Sequence, residues 1–138
     1  GSALAGRAQS MDQLIAFRIH GVSPELVQSV RAAGYTPDSK SLISMRIHGA
    51  TPEYMDQLKQ RGYAGVPIDQ LVAFRIHGVT PALIDELQKL GFQHPQPEQL
   101  VNLRKHDVTP EYIAELQRRG IKNLTIDKLV ALKIHGLD

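Results

Sequence analysis

Phe74-Arg75-Ile76-His77-Gly78 is one of five copies of a single phrase, and its return at a fixed interval decides how the chain is read. The other copies are Phe17-Arg18-Ile19-His20-Gly21, Met45-Arg46-Ile47-His48-Gly49, Leu103-Arg104-Lys105-His106-Asp107 and Leu132-Lys133-Ile134-His135-Gly136. Their histidines stand 28, 29, 29 and 29 residues apart. A period of this size marks stacked supersecondary units, each unable to bury its apolar face alone.

Working outward from the phrase, each unit reads as two short helices. The first opens at Ser10, Asp38, Pro67, Gln96 or Thr125. Ser, Asp and Thr there can accept hydrogen bonds from the free N–H groups of the first turn. An acid follows two positions later at Asp12, Asp69, Glu98 and Asp127, which suits the positive helix end. Leu14, Ile15, Phe17, Ile19 and their counterparts predict a helix mostly buried between neighbours. His-Gly closes it, and Val22, Ala50, Val79 or Val108 follows as the apolar residue of the cap.

The second helix opens at once, with Ser23-Pro24, Thr51-Pro52, Thr80-Pro81 or Thr109-Pro110 placing a hydroxyl at the cap and proline at the first helical position. Leu26, Val27 and Val30 recur as Tyr54, Met55 and Leu58, as Leu83, Ile84 and Leu87, and as Tyr112, Ile113 and Leu116, a stripe facing a core. Gly34, Gly62, Gly91 and Gly120 end this helix, each followed by Tyr35, Tyr63, Phe92 or Ile121. Nothing in the pattern asks for a strand. The expectation is therefore all-α: an α-solenoid of about four and a half two-helix repeats at residues 10–37, 38–66, 67–95 and 96–124, with a half-repeat at 125–138. Residues 1–9 read as a tag remnant and flexible lead, and the stop after a fifth first helix reads as a piece cut from a longer protein.

Composition narrows the function. With 138 residues, 42% of them apolar, the chain can build a single core. Sixteen Lys and Arg against 14 Asp and Glu give a net charge of +2, too balanced to announce a nucleic-acid or acidic-ligand binder. No cysteine is present, so disulfides and thiolate sites are excluded, and no apolar run reaches the roughly 18 residues of a membrane span.

His20, His48, His77, His106 and His135 recur once per unit. As shared metal ligands they are too far apart, since stacked helices lie about 8–10 Å from one another and a zinc–nitrogen bond is about 2 Å. An active site is assembled once, whereas these repeat, so neither an enzyme nor a cofactor is expected. They read as structural caps with the residues that follow them, Gly21, Gly49, Gly78, Asp107 and Gly136, because an imidazole in a last turn meets the negative helix end and can bond a free carbonyl. His94 falls outside this row, in a proline-rich loop, and reads as solvated.

Two rows of surface residues are candidate binding sites. Arg18, Arg46, Arg75, Arg104 and Lys133 form a basic ladder that can track a phosphate backbone, pair with Glu25, Glu53 and Glu111 at the next helix start, or simply be solvated. Gln28, Asp56, Asp85 and Ala114 occupy one place on the second helices, and Ser29, Gln57, Glu86 and Glu115 the next. Solenoids hold a constant frame and vary such positions to bind extended partners, so Gln28, Ser29, Asp56, Gln57, Asp85, Glu86 and Glu115 are read as a protein-binding face suited to basic segments. The fourth unit departs from the rule with Lys105 and Asp107, through neutral drift or as a local polar hot spot; a lysine there requires a position at least partly exposed.

Leu14-Ile15-Ala16-Phe17-Arg18-Ile19-His20-Gly21-Val22-Ser23-Pro24-Glu25 and Leu124-Thr125-Ile126-Asp127-Lys128-Leu129-Val130-Ala131-Leu132-Lys133-Ile134-His135-Gly136 resemble the short helical repeats in accessory regions of bacterial BlaR-type membrane metallopeptidases and related signalling proteins. That resemblance implies an accessory sensing or protein-binding region, outside the cytoplasm and without catalysis, since no His-Glu-x-x-His is present. The second of these stretches is also similar to the DNA-reading repeats of TAL effectors. This implies that the five histidines brace a loop and that Gly21, Gly49, Gly78, Asp107 and Gly136 face bases. The chain departs from that family in its shorter period, in Val-Thr-Pro where a phosphate-wrapping segment belongs, and in a nearly constant reading position.

Overall fold

The computed structural model describes residues 21–136, so Ser10, Arg18, His20 and the first helix expected around them lie outside the described residues. Eight α-helices and no strand occur among the described residues: α1 (Pro24–Ala32), α2 (Ser39–His48), α3 (Pro52–Gln60), α4 (Ile68–His77), α5 (Pro81–Lys89), α6 (Pro97–Lys105), α7 (Pro110–Arg118) and α8 (Ile126–Ile134). Helices of the same kind pack on each other along the chain, α2 on α4, α4 on α6 and α6 on α8, with α1 on α3 and α5 on α7.

The caps form as the sequence predicts. The side-chain oxygens of Ser23, Thr51, Thr80, Thr109 and Thr125 each accept the N–H three residues on at 3.0–3.1 Å, and Asp38 does so at 2.7 Å. Such a cap contributes about 1 kcal/mol. Pro67 has no side chain that can do this, and at Gln96 the roles reverse, its N–H donating to the Gln99 side chain at 2.9 Å.

One apolar cluster runs the length of the array. From the odd helices it takes Leu26, Val30, Tyr54, Leu58, Leu83, Ile84, Leu87, Ile113 and Leu116, and from the even helices Leu42, Met45, Leu71, Val72, Phe74, Leu100, Val101, Leu103, Ile126 and Leu129. Val22, Val27, Met55 and Tyr112 pack against its edge.

The phrase itself corrects one expectation. Ile47, Ile76 and Ile134, counterparts of Ile19, are not core residues; they are 58%, 54% and 58% exposed. At 100° per residue, Ile47 stands two positions and 200° from the buried Met45, and Ile76 stands likewise from Phe74, so both point away from the stack. Lys105 occupies the same outward place and is exposed, as a lysine there requires.

α2, α4 and α6 are each closed by a left-handed residue and a long return bond. Ala50, Val79 and Val108 donate their N–H groups to Met45, Phe74 and Leu103 at 2.7–2.8 Å. Gly49 stands at φ +77°, and a Cβ there would lie 3.3 Å from Nη2 of Arg75, so both backbone and neighbour select glycine. Asp107 holds the same conformation at φ +57°, which preserves the cap in the divergent unit.

Tyrosines tie successive units together. Tyr54 Oη donates to the carbonyl of Val79 and Tyr63 Oη to that of Pro95, both at 2.6 Å, and Tyr35 Oη donates to Val66 O. Burial pushes Tyr54 and Tyr63 up to about 12, the Arg75 charge opposing it in part at Tyr54. A phenol raised above its unfolded value of about 10 lends stability in full below pH 10 and loses it as pH climbs toward 12. Urea midpoints are therefore expected to hold steady up to pH 10 and fall between 10 and 12. Tyr54→Phe and Tyr63→Phe are expected to start lower and fall less steeply, and parallel curves would refute the assignment. Gly49→Ala is expected to cost about 1–2 kcal/mol and Asp107→Gly to add up to about 1 kcal/mol, read from the same midpoints.

Candidate functional site

The basic ladder reaches backward along the array. Arg46 donates from Nε to the carbonyl of Gly21 at 3.2 Å, and Arg104 from Nε to that of Gly78 at 2.9 Å. Arg75 lies over the Tyr54 ring at 4.6 Å, and Lys133 over Tyr112 at 4.7 Å. Each described cation thus engages the unit before its own. The pairing expected with acids at the next helix start forms neither between Arg46 and Glu53 nor between Arg104 and Glu111: both arginines extend to the preceding closing turn instead. Arg18 is outside the described residues.

The histidines do less than the sequence suggests. His48 and His77 end α2 and α4, and His106 and His135 are the backbone C-caps of α6 and α8. Among the described residues none of these four imidazoles makes a side-chain hydrogen bond, so closure rests on the left-handed residues that follow, Gly49, Gly78, Asp107 and Gly136. Gly21 is left-handed too, at φ +69°. No cluster of three or more His, Asp or Glu able to hold a metal occurs among the described residues. His94 is exposed, as the sequence suggests, and it also stacks on Tyr63 with ring centroids 4.4 Å apart and donates from Nε2 to Gly62 O at 2.7 Å. The buried Tyr63 ring offers it a flat apolar partner, a contact that no local pattern around His94 encodes.

On the odd helices Gln28, Asp56, Gln57 and Glu86 are exposed, while Ser29, Asp85 and Glu115 are half-buried. Two of the acids are already engaged within the molecule. Asp85 takes a two-pronged contact from Arg61, at 2.9 and 3.1 Å, while Arg61 also donates to Gln57 O at 2.9 Å. Glu115 takes Arg118 at 2.5 Å and Arg119 at 3.5 Å. Both carboxyls are held below the usual carboxylate range, chiefly by those arginine hydrogen bonds. The face is therefore less acidic than its sequence.

The junctions between odd helices are built differently. Between α3 and α5 the Arg61–Asp85 pair spans the gap. At the corresponding places between α5 and α7 stand Leu90 and Ala114, and Gln117 donates to Leu90 O at 2.9 Å. Between α1 and α3 the residues are Ala33 and Asp56, and there the surface opens into a groove of about 420 Å³. Ser29, Ala33 and Asp56 line its rim with Lys59, and Tyr35, Met55, Tyr63 and Leu71 reach it from the core side. Those four aromatic and aliphatic residues are absent from the face read from sequence. The one sequence signal for the groove is the change from Arg61 and Leu90 to alanine at position 33.

No family model, curated protein or solved structure matches the chain. Among the described residues no helix is long and apolar enough to cross a membrane.

Because Arg104 bonds a carbonyl, Arg104→Gln is expected to lower stability by about 0.5–1.5 kcal/mol. The loss should be nearly the same at 50 and 500 mM salt. A loss confined to low salt would mean that the side chain acts through an acid instead.

Proposed function

We propose that the chain is an α-solenoid of two-helix repeats that binds an extended protein or peptide along the face formed by its odd-numbered helices. It is a non-enzymatic interaction module of the kind implied by the resemblance to the accessory repeats of BlaR-type metallopeptidases. The observation that carries this reading is the open groove between α1 and α3, where Ser29 and Asp56 of the proposed face stand beside the half-buried Tyr35 and Met55. Constant cores beneath variable exposed residues at Gln28, Asp56, Gln57 and Glu86 support it as well. A phosphate-tracking role for the ladder is the weaker reading, because Arg46 and Arg104 already spend their Nε–H groups on protein carbonyls and Arg75 and Lys133 lie over tyrosine rings.

Selection from a phage-displayed library of random peptides, about twelve residues long, tests this. Enriched peptides are expected to bind the unaltered chain and to weaken at least tenfold on a Gln57→Lys/Glu86→Lys variant, with modest salt dependence. Failure to enrich any peptide, or enrichment indifferent to that variant, would overturn the proposal. So would micromolar binding of a random DNA duplex at about 50 mM salt that collapses at 200 mM.

A further inference from the structure

The molecule contains its own template for what the groove between α1 and α3 lacks. At the next junction Arg61, the C-cap of α3, places its guanidinium on both carboxylate oxygens of Asp85. Ala33 is the C-cap of α1 at the equivalent place, with φ −79° and ψ 1° against −101° and 13° for Arg61, so the backbones direct their side chains alike. Asp56 is the equivalent of Asp85. The carboxylate is present at both junctions, and the arginine at only one. Among the described residues no cation pairs with Asp56, which accepts only Gln60 Nε2, on Oδ2 at 2.7 Å, leaving Oδ1 for a further donor. The space Ala33 leaves is rimmed by Ser29 and floored by Met55 and Tyr63, apolar surface on which an aliphatic stem can lie.

We propose that this groove is a subsite for an arginine side chain of a bound peptide, which takes the place that Arg61 fills at the following junction. The inference rests on the peptide-binding reading above and adds the residue type that the peptide must carry. A planar two-pronged donor is favoured over an ammonium because the template contact is itself two-pronged. Lys59 lines the same groove, whereas Gln88 stands at the corresponding place beside Arg61 and Asp85. Its charge opposes a cationic guest and sets a limit on affinity.

Titration with acetyl-arginine methylamide, followed by amide NMR shifts, reads the subsite directly. Saturable shifts are expected at residues 29–33 and 55–59, with binding at least tenfold weaker for the citrulline analogue, whose urea carries no charge. Asp56→Asn should weaken arginine binding at least tenfold, and Ala33→Arg should abolish it by supplying the guanidinium from within. Lys59→Gln should strengthen it a few fold. Absence of saturable shifts, or equal shifts in the Asp56→Asn and Ala33→Arg variants, would overturn the proposal. Library peptides that bind Ala33→Arg as well as the unaltered chain would remove the subsite and leave the face standing. Arginine binding without any enriched peptide would do the reverse.

Discussion

A helix of nine or ten residues closes only a few of its own hydrogen bonds, against the cost of fixing a first turn. None of the eight helices can therefore hold its shape alone in water, and what fixes each is contact with the unit before and after it. Apolar burial supplies most of that contact, through one cluster running from Leu26 to Leu129. Polar ties then set how the units sit on one another. Tyrosine hydroxyls reach forward to carbonyls of the next unit, and arginines reach back to the closing turn of the last. The carbonyls of the left-handed residues Gly21 and Gly78 are met by arginines of the next even helix, Arg46 and Arg104.

This arrangement explains why the phrase recurs. The aromatic or aliphatic residue at its head is core, as Met45, Phe74 and Leu103 are. The basic residue serves the neighbouring unit, and the glycine permits the left-handed turn and, at Gly21 and Gly49, leaves room for the incoming guanidinium. Among the described residues isoleucine and histidine are outside this machinery: Ile47, Ile76 and Ile134 are exposed, and His48, His77, His106 and His135 make no side-chain hydrogen bond. Repetition alone thus does not separate residues that hold the array together from those that merely recur.

The helices, caps and odd-helix stripes were legible in the sequence because each is set by residues within five positions of one another, where spacing encodes geometry. Three things were not. Ile47 and Ile76 are apolar and recur, and only the angle from Met45 and Phe74 shows that they face outward. The acids Asp85 and Glu115 looked free, yet Arg61 neutralises the first from 24 residues away and Arg118 and Arg119 the second from the same helix end. The stacking of His94 on Tyr63 and the groove over Ala33 join residues of different units, and a contact across units leaves no periodic trace when it occurs once.

The unlike junctions have a further consequence for how the chain finds its native pairing. Near-identical units invite a slip by one period, in which a helix docks on the wrong neighbour while keeping most of its apolar contacts. A slip of one unit would set Arg61 against Ala114 and leave Asp85 facing Ala33, removing the bidentate pair at once. Ala33, Arg61 and Leu90 therefore act as a key read once per junction. Variation along an otherwise uniform array gives each unit an address, and misassembly between neighbours, a hazard of repeat proteins, is opposed by the same positions that differentiate their surfaces.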